Sequence, residues 1–197
     1  MAWVTEAELR TEADTYIRED WTRLAKSAGQ VLAEATRTSA TSFDIFLSHS
    51  MKDEKVILGL YLRLKRMGHS VYVDWIVDPQ LDRSKISSNT AEQLRTRMRQ
   101  SKTLIYAHSV NASDSKWMPW ELGYFDGFRS AVAVLPIGTT GKEGAVGQEY
   151  LGLYPQIDVS GASMFVNKGT ASDRLYGRPG PHAGFKSLRS WIVEKAA

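Results

Sequence analysis

The chain has 197 residues, and 25 Lys and Arg against 22 Asp and Glu give a formal net charge of +3, too small an excess to predict a nucleic-acid partner. Hydrophobic residues make up 43% of the sequence, as in soluble globular proteins, which excludes a wholly disordered chain, and the absence of cysteine excludes disulfides, thiolate metal sites and cysteine nucleophiles. Because no apolar run is long enough for a bilayer and no secretion signal opens the sequence, we expect a cytoplasmic protein without a membrane partner.

Residues 1–38 have the pattern of a helix, with no proline and a single glycine. Apolar residues recur there at alternating steps of four and three, the spacing of a helical seam. We expect a helical extension that docks on the flank of the following domain, residues 43–197, or drives self-association, with Trp21 covered because a large indole in water is costly. The seam consists of Ile17, Trp21, Leu24, Ala28, Val31 and Ala35.

From residue 43 onward, short β-prone runs alternate with amphipathic helical segments. Such alternation predicts an α/β fold, an open parallel sheet of five strands with helices on both faces. The first of these helices is expected to end at Gly68, and the glycine-rich segment 138–152 is expected to be a mobile loop. The strands are predicted at 43–48, 69–74, 103–108, 131–137 and 156–160, and the helices at 55–67, 91–100, 117–128 and 185–195.

Ligands of such sheets bind outside the carboxyl ends of the strands, where the strand order reverses. If the first predicted strand is central, with the second and third beside it, three polar loops meet at this place. They follow the three strands at residues 48–53, from residue 74 onward, and at 108–111. We therefore expect the functional site to lie among these loops.

Several familiar sites lack the residues that they need. There is no G-x-G-x-x-G after the first strand and no G-x-S-x-G elbow. The pair Gly141-Lys142 resembles part of a phosphate-binding loop, but Pro136 replaces its first glycine and Glu143 its magnesium-binding Ser or Thr. The four histidines show no ligand spacing, so no metal site is predicted. The basic run 95–102 contains no aromatic residue and is interpreted as the solvated face of a helix.

The segment 113–128, SDSKWMPWELGYFDGF, contains the strongest candidate for chemistry. Its first residues are suitable helix N-caps, and a proline at position 119 is tolerated in a first turn. On the resulting helix, Glu121 is spaced to share one face with Trp117, Tyr124 and Phe128. A carboxylate in these surroundings loses hydration. Spacing alone leaves two interpretations open, a structural acid paired with an arginine or a backbone amide, and a functional acid.

Two motifs of the chain are similar to those of a known family. The run FDIFLSHS at 43–50, followed by Lys52 and Asp53, resembles a strand signature F-D-[AIV]-F-[IL]-S-[HY], and SKWMPWEL at 115–122 resembles a helix S-x-W-C-x-x-E-L, with Met118 in place of the cysteine. Both are motifs of the TIR (Toll/interleukin-1 receptor) domain family. The resemblance covers about residues 43–137 and implies a flavodoxin-like sheet.

The resemblance also implies an activity and a site. Many members in bacteria and plants cleave the nicotinamide–ribose bond of NAD+, and Glu121 aligns with their catalytic glutamate. NAD+ is then a substrate, and no cofactor or metal is implied, because nicotinamide leaves as a neutral molecule. Residues 74–88 correspond to the mobile loop after the family's second strand. The substrate-binding residues that the resemblance implies are Ser48, His49, Asp74, Trp75 and Trp117.

We predict from this resemblance a TIR NAD+ glycohydrolase or cyclase, acting in antiphage defence, that releases nicotinamide and either ADP-ribose or a cyclic isomer. The implied partners are further copies of the chain, through their TIR domains, and an effector that responds to the nucleotide product. Two alternatives stay open, a non-catalytic adaptor that works by TIR–TIR binding and, more distantly, a nucleoside deoxyribosyltransferase-like enzyme. An acid on an aromatic face favours an enzyme, because an adaptor has no use for it.

Overall fold

The computed structural model describes residues 3–37, 39–73, 88–139, 149–170 and 184–196. Within these ranges the chain forms one sheet with helices on both faces. The strands are β1 (Val4–Thr5), β2 (Phe43–Ser48), β3 (Val71–Val73), β4 (Ser101–His108), β5 (Val132–Gly138), β6 (Pro155–Ser160), β7 (Ser163–Thr170) and β8 (Phe185–Ser187). The helices are α1 (Glu6–Arg18), α2 (Trp21–Leu24), α3 (Ala28–Ala35), α4 (Glu54–Arg66), α5 (Ser88–Arg99), α6 (Trp117–Arg129) and α7 (Leu188–Ala196).

Parallel strands form the centre of the sheet. Their order is β3-β2-β4-β5-β6, and each neighbouring pair is parallel. The first predicted strand, β2, therefore lies between the second and third, β3 and β4, as expected. Its Ile45 is paired with Val71 on one side and with Thr103 on the other. This is the 2-1-3-4-5 order of flavodoxin-like sheets, and the predicted fold class is confirmed.

The sheet of the described residues has eight strands, three more than the pattern predicts. Strand β1 has only two residues, too few for a periodic signal, and pairs in parallel with the end of β5. Strands β7 and β8 extend the sheet beyond β6 in antiparallel pairing. A tight turn joins β6 to β7, and Gly161 has a φ of +58° there, which glycine adopts without strain.

The last helix is shorter than predicted. Residues 185–187, expected to be its first turn, pair with β7 as strand β8. Helix α7 begins at Leu188, and the Ser187 hydroxyl accepts a hydrogen bond from the Ser190 amide. This bond satisfies an amide that has no partner within the helix, and so the serine sets the boundary.

The helices predicted at 55–67, 91–100 and 117–128 are confirmed as α4, α5 and α6. Helix α4 ends as expected before Gly68, whose φ is +85°. Of the predicted loop 138–152, residues 140–148 lie outside the described residues, and Glu149–Leu153 forms a 3-10 turn. None of the helices in the described ranges is long and apolar enough to span a membrane.

The two faces of the sheet bury separate apolar clusters, because alternate residues of a strand point to opposite sides. Ile45 and Leu47 of β2 pack toward α1, α3, α4 and α7. Phe46, between them, packs toward α5 and α6. Met118, Leu122 and Phe125, on the inner face of α6, pack into this second cluster. Helix α6 therefore lies against the end of β2.

The N-terminal segment is divided into three helices, and the predicted continuous seam is wrong. Trp21 is 82% exposed and Leu24 is 59% exposed, whereas Val31 is buried. Asp20 accepts a hydrogen bond from the Thr22 amide and begins α2, and Ser27 forms a capping box that begins α3. These caps satisfy amides that a continuous helix would bond internally, so the chain turns and Trp21 faces solvent.

The first and third helices dock on α4, the first of the two alternatives expected for this segment. Helix α1 crosses α4 so closely that a Cβ added to Gly59 would lie 2.0 Å from the carbonyl oxygen of Leu9. Glu12 forms ion pairs with two arginines of α4, and Glu54 accepts a hydrogen bond from the Gly29 amide at 3.1 Å. Self-association through this segment and the division into 1–38 and 43–197 stay predictions.

We expect Gly59→Ala to destabilise the protein by about 1–3 kcal/mol, because the new methyl group would meet the Leu9 carbonyl. Gly127→Ala in α6 is the matched control. A Cβ there meets nothing within 4 Å. Replacing this helical glycine with alanine is expected to raise the free energy of unfolding by about 0.5–1 kcal/mol. Urea denaturation measures both changes. Equal stabilities for the two variants would contradict the close packing of α1 on α4.

Candidate active site

The site lies where β2 and β4 end and α6 begins. Two of the three loops expected there, residues 48–53 and 108–111, are joined by hydrogen bonds. The third loop, including the predicted binding residues Asp74 and Trp75, lies outside the described residues. The predicted meeting place at the carboxyl ends of the strands is therefore confirmed for two of the loops.

A buried carboxylate joins these two loops. Asp53 is 2% exposed and accepts hydrogen bonds from Ser109 Oγ and from Asn111 Nδ2, the latter at 2.6 Å. An exposed ion pair at 2.6 Å joins Lys52 Nζ of the first loop to Asp114 Oδ2, in the 3-10 turn that directly follows the second. Asp53 directly precedes α4, where an acid usually caps the helix, but its side chain makes no cap bond. Sequence reasoning therefore missed its role.

Glu121 lies on the inner side of α6 and is fully buried. Its neighbours Met118 and Phe125 pack into the core on the same side of the helix. Ser48, the last residue of β2, is equally buried, and its Oγ donates a hydrogen bond to Glu121 Oε2 at 2.6 Å. The fold thus brings together two residues that the resemblance singled out, 73 positions apart in the chain.

The aromatic residues of α6 form a continuous row of ring contacts, and the row includes Trp120, which the spacing argument left out. Trp117 contacts Trp120, Trp120 stacks on Tyr124, and Tyr124 contacts Phe128, with ring centroids 5.4, 5.8 and 5.4 Å apart. These rings are half-buried or exposed. The acid lies at the inner edge of the row because its position on the helix is turned toward the sheet, beside the apolar residues that fill the core.

Helix α5 covers the outer side of this row with its basic residues. The Arg95 guanidinium lies 5.5 Å from the centroid of the Trp120 ring, and Arg99 lies 5.9 Å from that of Tyr124. Both arginines also pair with Glu92. The aromatic residues that the basic run lacks are thus supplied by α6. Arg95 and Arg99 form cation–π contacts and ion pairs within the protein.

Two histidines border the site. His49, which the resemblance places against the nucleotide, is 1% exposed, and its Nδ1 lies 3.0 Å from the Leu47 carbonyl oxygen. Because a carbonyl only accepts hydrogen bonds, this contact assigns a hydrogen to Nδ1. His108 ends β4, and burial lowers the pKa of its imidazole, which favours the neutral form. The site therefore gains no positive charge from His108 at neutral pH.

We expect Asp53→Ala to destabilise the fold by about 2–3 kcal/mol, because two donors in the neighbouring loop lose a charged acceptor. Asp114→Ala, which removes the exposed ion pair with Lys52, should cost less than about 1 kcal/mol. Chemical denaturation of both variants under one set of conditions provides the comparison. A larger loss for Asp114→Ala would mean that the buried bonds do not hold the loops.

Comparison with known proteins identifies the family. Residues 45–161 match the family model described as TIR domain. A protein of Bacillus cereus (strain MSX-D12) named "Probable 3' cyclic ADP-D-ribose synthase ThsB'" is 55% identical over 156 residues, which are 77% of this chain and 76% of that protein. A Cytobacillus dafuensis protein named "Putative cyclic ADP-D-ribose synthase TIR2" is 35% identical over 83 residues, 42% of this chain and 22% of that protein. Since the family model matches more than half of its length, the chain belongs to the TIR domain family.

Proposed function

We propose that this TIR domain cleaves the nicotinamide–ribose bond of NAD+ and closes the remaining ADP-ribose into a cyclic isomer. The observation that carries the proposal is the fully buried carboxylate of Glu121, held at the carboxyl ends of the parallel strands by Ser48. The Bacillus cereus relative, named for 3' cyclic ADP-D-ribose synthesis, supports the same reaction and product.

The main requirement of this reaction is stabilisation of the positive charge that develops on the ribose. When the bond between ribose C1 and the nicotinamide nitrogen breaks, its electron pair stays with nicotinamide, which leaves neutral. Positive charge then develops on C1 and the ring oxygen, and the carboxylate of Glu121 stabilises this charge, as in glycoside hydrolysis. A hydroxyl group of the same nucleotide attacks C1 and releases its proton, so that the products are nicotinamide, the cyclic nucleotide and one proton, without a cofactor.

Two nucleophiles can complete the reaction at C1. A hydroxyl group of the same nucleotide gives the cyclic product, whereas water gives linear ADP-ribose. Both relatives are named for cyclic ADP-D-ribose synthesis, which supports the cyclic product.

The substrate contacts belong to the same proposal. Trp117 is half-buried, one helical turn before Glu121, where its indole can stack on a base or on nicotinamide. His49 lies next to Ser48 at the end of β2. Asp74 and Trp75 are assigned to substrate binding from the resemblance alone. Self-association of TIR domains, an effector that senses the product, antiphage defence and a cytoplasmic location are further parts of the proposal that rest on the resemblance and on composition.

The rival function is an adaptor that acts only by binding other TIR domains. An adaptor works through its surface and does not need the Glu121 carboxylate at the carboxyl ends of the parallel strands, where the ligands of such sheets bind. Incubation of the purified protein with NAD+, followed by mass spectrometry, separates the two functions. We expect nicotinamide and a nucleotide one water lighter than ADP-ribose. Intact NAD+ would favour the adaptor, and ADP-ribose alone would overturn the cyclic product.

Glu121→Gln should lower turnover by about 10²-fold or more, because it removes the charge that stabilises the cation while nearly preserving the volume. Melting temperature should change little by comparison. Glu34→Gln, at an exposed position of α3, is the control and should keep wild-type turnover. Wild-type rates for Glu121→Gln would exclude this residue as the catalytic carboxylate.

Trp117→Ala should reduce kcat/KM by about 5- to 150-fold, which corresponds to the loss of about 1–3 kcal/mol of stacking. Trp21→Ala is a control of the same chemical size, because Trp21 is 82% exposed on α2. Initial rates over a range of NAD+ concentrations test both variants. If the Trp21 and Trp117 variants behaved alike, Trp117 would have no specific part in binding the substrate.

A further inference from the structure

Ser48 belongs to the sheet, whereas the residues that follow it belong to a loop. It is the last residue of β2, the central strand, and it is paired with Tyr106 of β4 in the parallel ladder. Its side chain is fully buried. A donor on a strand with partners on both sides has a defined position, and it can therefore serve as a fixed point for a group on a neighbouring helix.

The hydroxyl of Ser48 uses its hydrogen on Glu121. The distance of 2.6 Å from Oγ to Oε2 is that of a strong hydrogen bond to an ionised carboxylate. A serine hydroxyl has only one hydrogen to donate. In this arrangement Ser48 cannot also donate to a nucleotide, although the family resemblance places it among the substrate-binding residues.

The carboxylate of Glu121 needs such a fixed point. Its side chain has three rotatable bonds, and it projects from a helix whose residues Met118 and Phe125 pack into the core. Stabilising a developing cation requires that the oxygen atoms be in place before the bond breaks. A hydrogen bond from the strand supplies this order.

We infer that Ser48 is a positioning residue, which orients the Glu121 carboxylate for catalysis and does not itself bind the substrate. This inference rests on the proposed function, since it assigns Ser48 a task in NAD+ cleavage. The inference and the assignment made by resemblance predict changes in different kinetic parameters when Ser48 is replaced. Loss of a positioning residue lowers kcat, whereas loss of a substrate contact made before the reaction raises KM.

Ser48→Ala should therefore lower kcat by about 10- to 100-fold, with KM within about twofold of wild type. Ser50→Ala is the matched control. Ser50 is also buried in this loop, but its hydroxyl accepts a hydrogen bond from the Lys52 amide, and its loss should leave kcat within about twofold. If Ser48→Ala does not fold, Ser48→Cys, with a similar volume and a weaker donor, replaces it.

Calorimetry of NAD+ binding in a Glu121→Gln background provides the second measurement. We expect the same Kd with and without Ser48→Ala. Weaker binding in the double variant, or a raised KM with unchanged kcat in Ser48→Ala, would overturn the inference and return Ser48 to the substrate site. Absence of turnover in the wild-type protein would instead overturn the proposed function, and the inference with it, so the two failures are distinguishable.

Discussion

A carboxylate removed from water requires a hydrogen-bond donor, and in this protein that constraint joins the sheet to the helix carrying the site. Glu121 is fully buried and is bonded by Ser48 across the gap between α6 and β2. The bond forms because β2 is a central strand that ends beside α6, and because the inner face of α6 packs on the sheet. Strand order, helix packing and the position of the acid therefore depend on one another.

The periodic parts of the fold could be predicted from the sequence, and so could the place of the site. The β-prone run of β2 and the apolar faces of α4 and α6 are local signals that predict the elements. The flavodoxin-like order of the strands was implied by the family resemblance. Local signals also explain the failure at the N-terminus, because the caps at Asp20 and Ser27 outweigh the seam that continues past them. Asp20 and Ser27 are themselves helix-start signals, and they indicated that new helices begin there.

Two contacts of the site could not be predicted because each joins distant segments. Ser48 and Glu121 are 73 positions apart, and Asp53 reaches donors more than 50 positions away. Spacing on one helix placed Glu121 on the face that carries the rings, but its complete burial depends on how α6 packs on the sheet. The family motifs named Ser48 and Glu121, but neither motif states that one residue bonds the other. Contacts of this kind follow only from the folded arrangement of the elements.

The pairing of β1 with β5 has a consequence for folding during synthesis. Val4 lies opposite Ile137, so the residues of β1 leave the ribosome long before their partner exists, and a contact so distant in sequence forms slowly. Helix α1 follows β1 directly, and its apolar side chains, including Leu9, can already cover α4, which lies much nearer in the chain. The N-terminal helices can thus cover the apolar surface of α4 while the sheet is still incomplete, and exposed apolar surface of this kind promotes association of nascent chains.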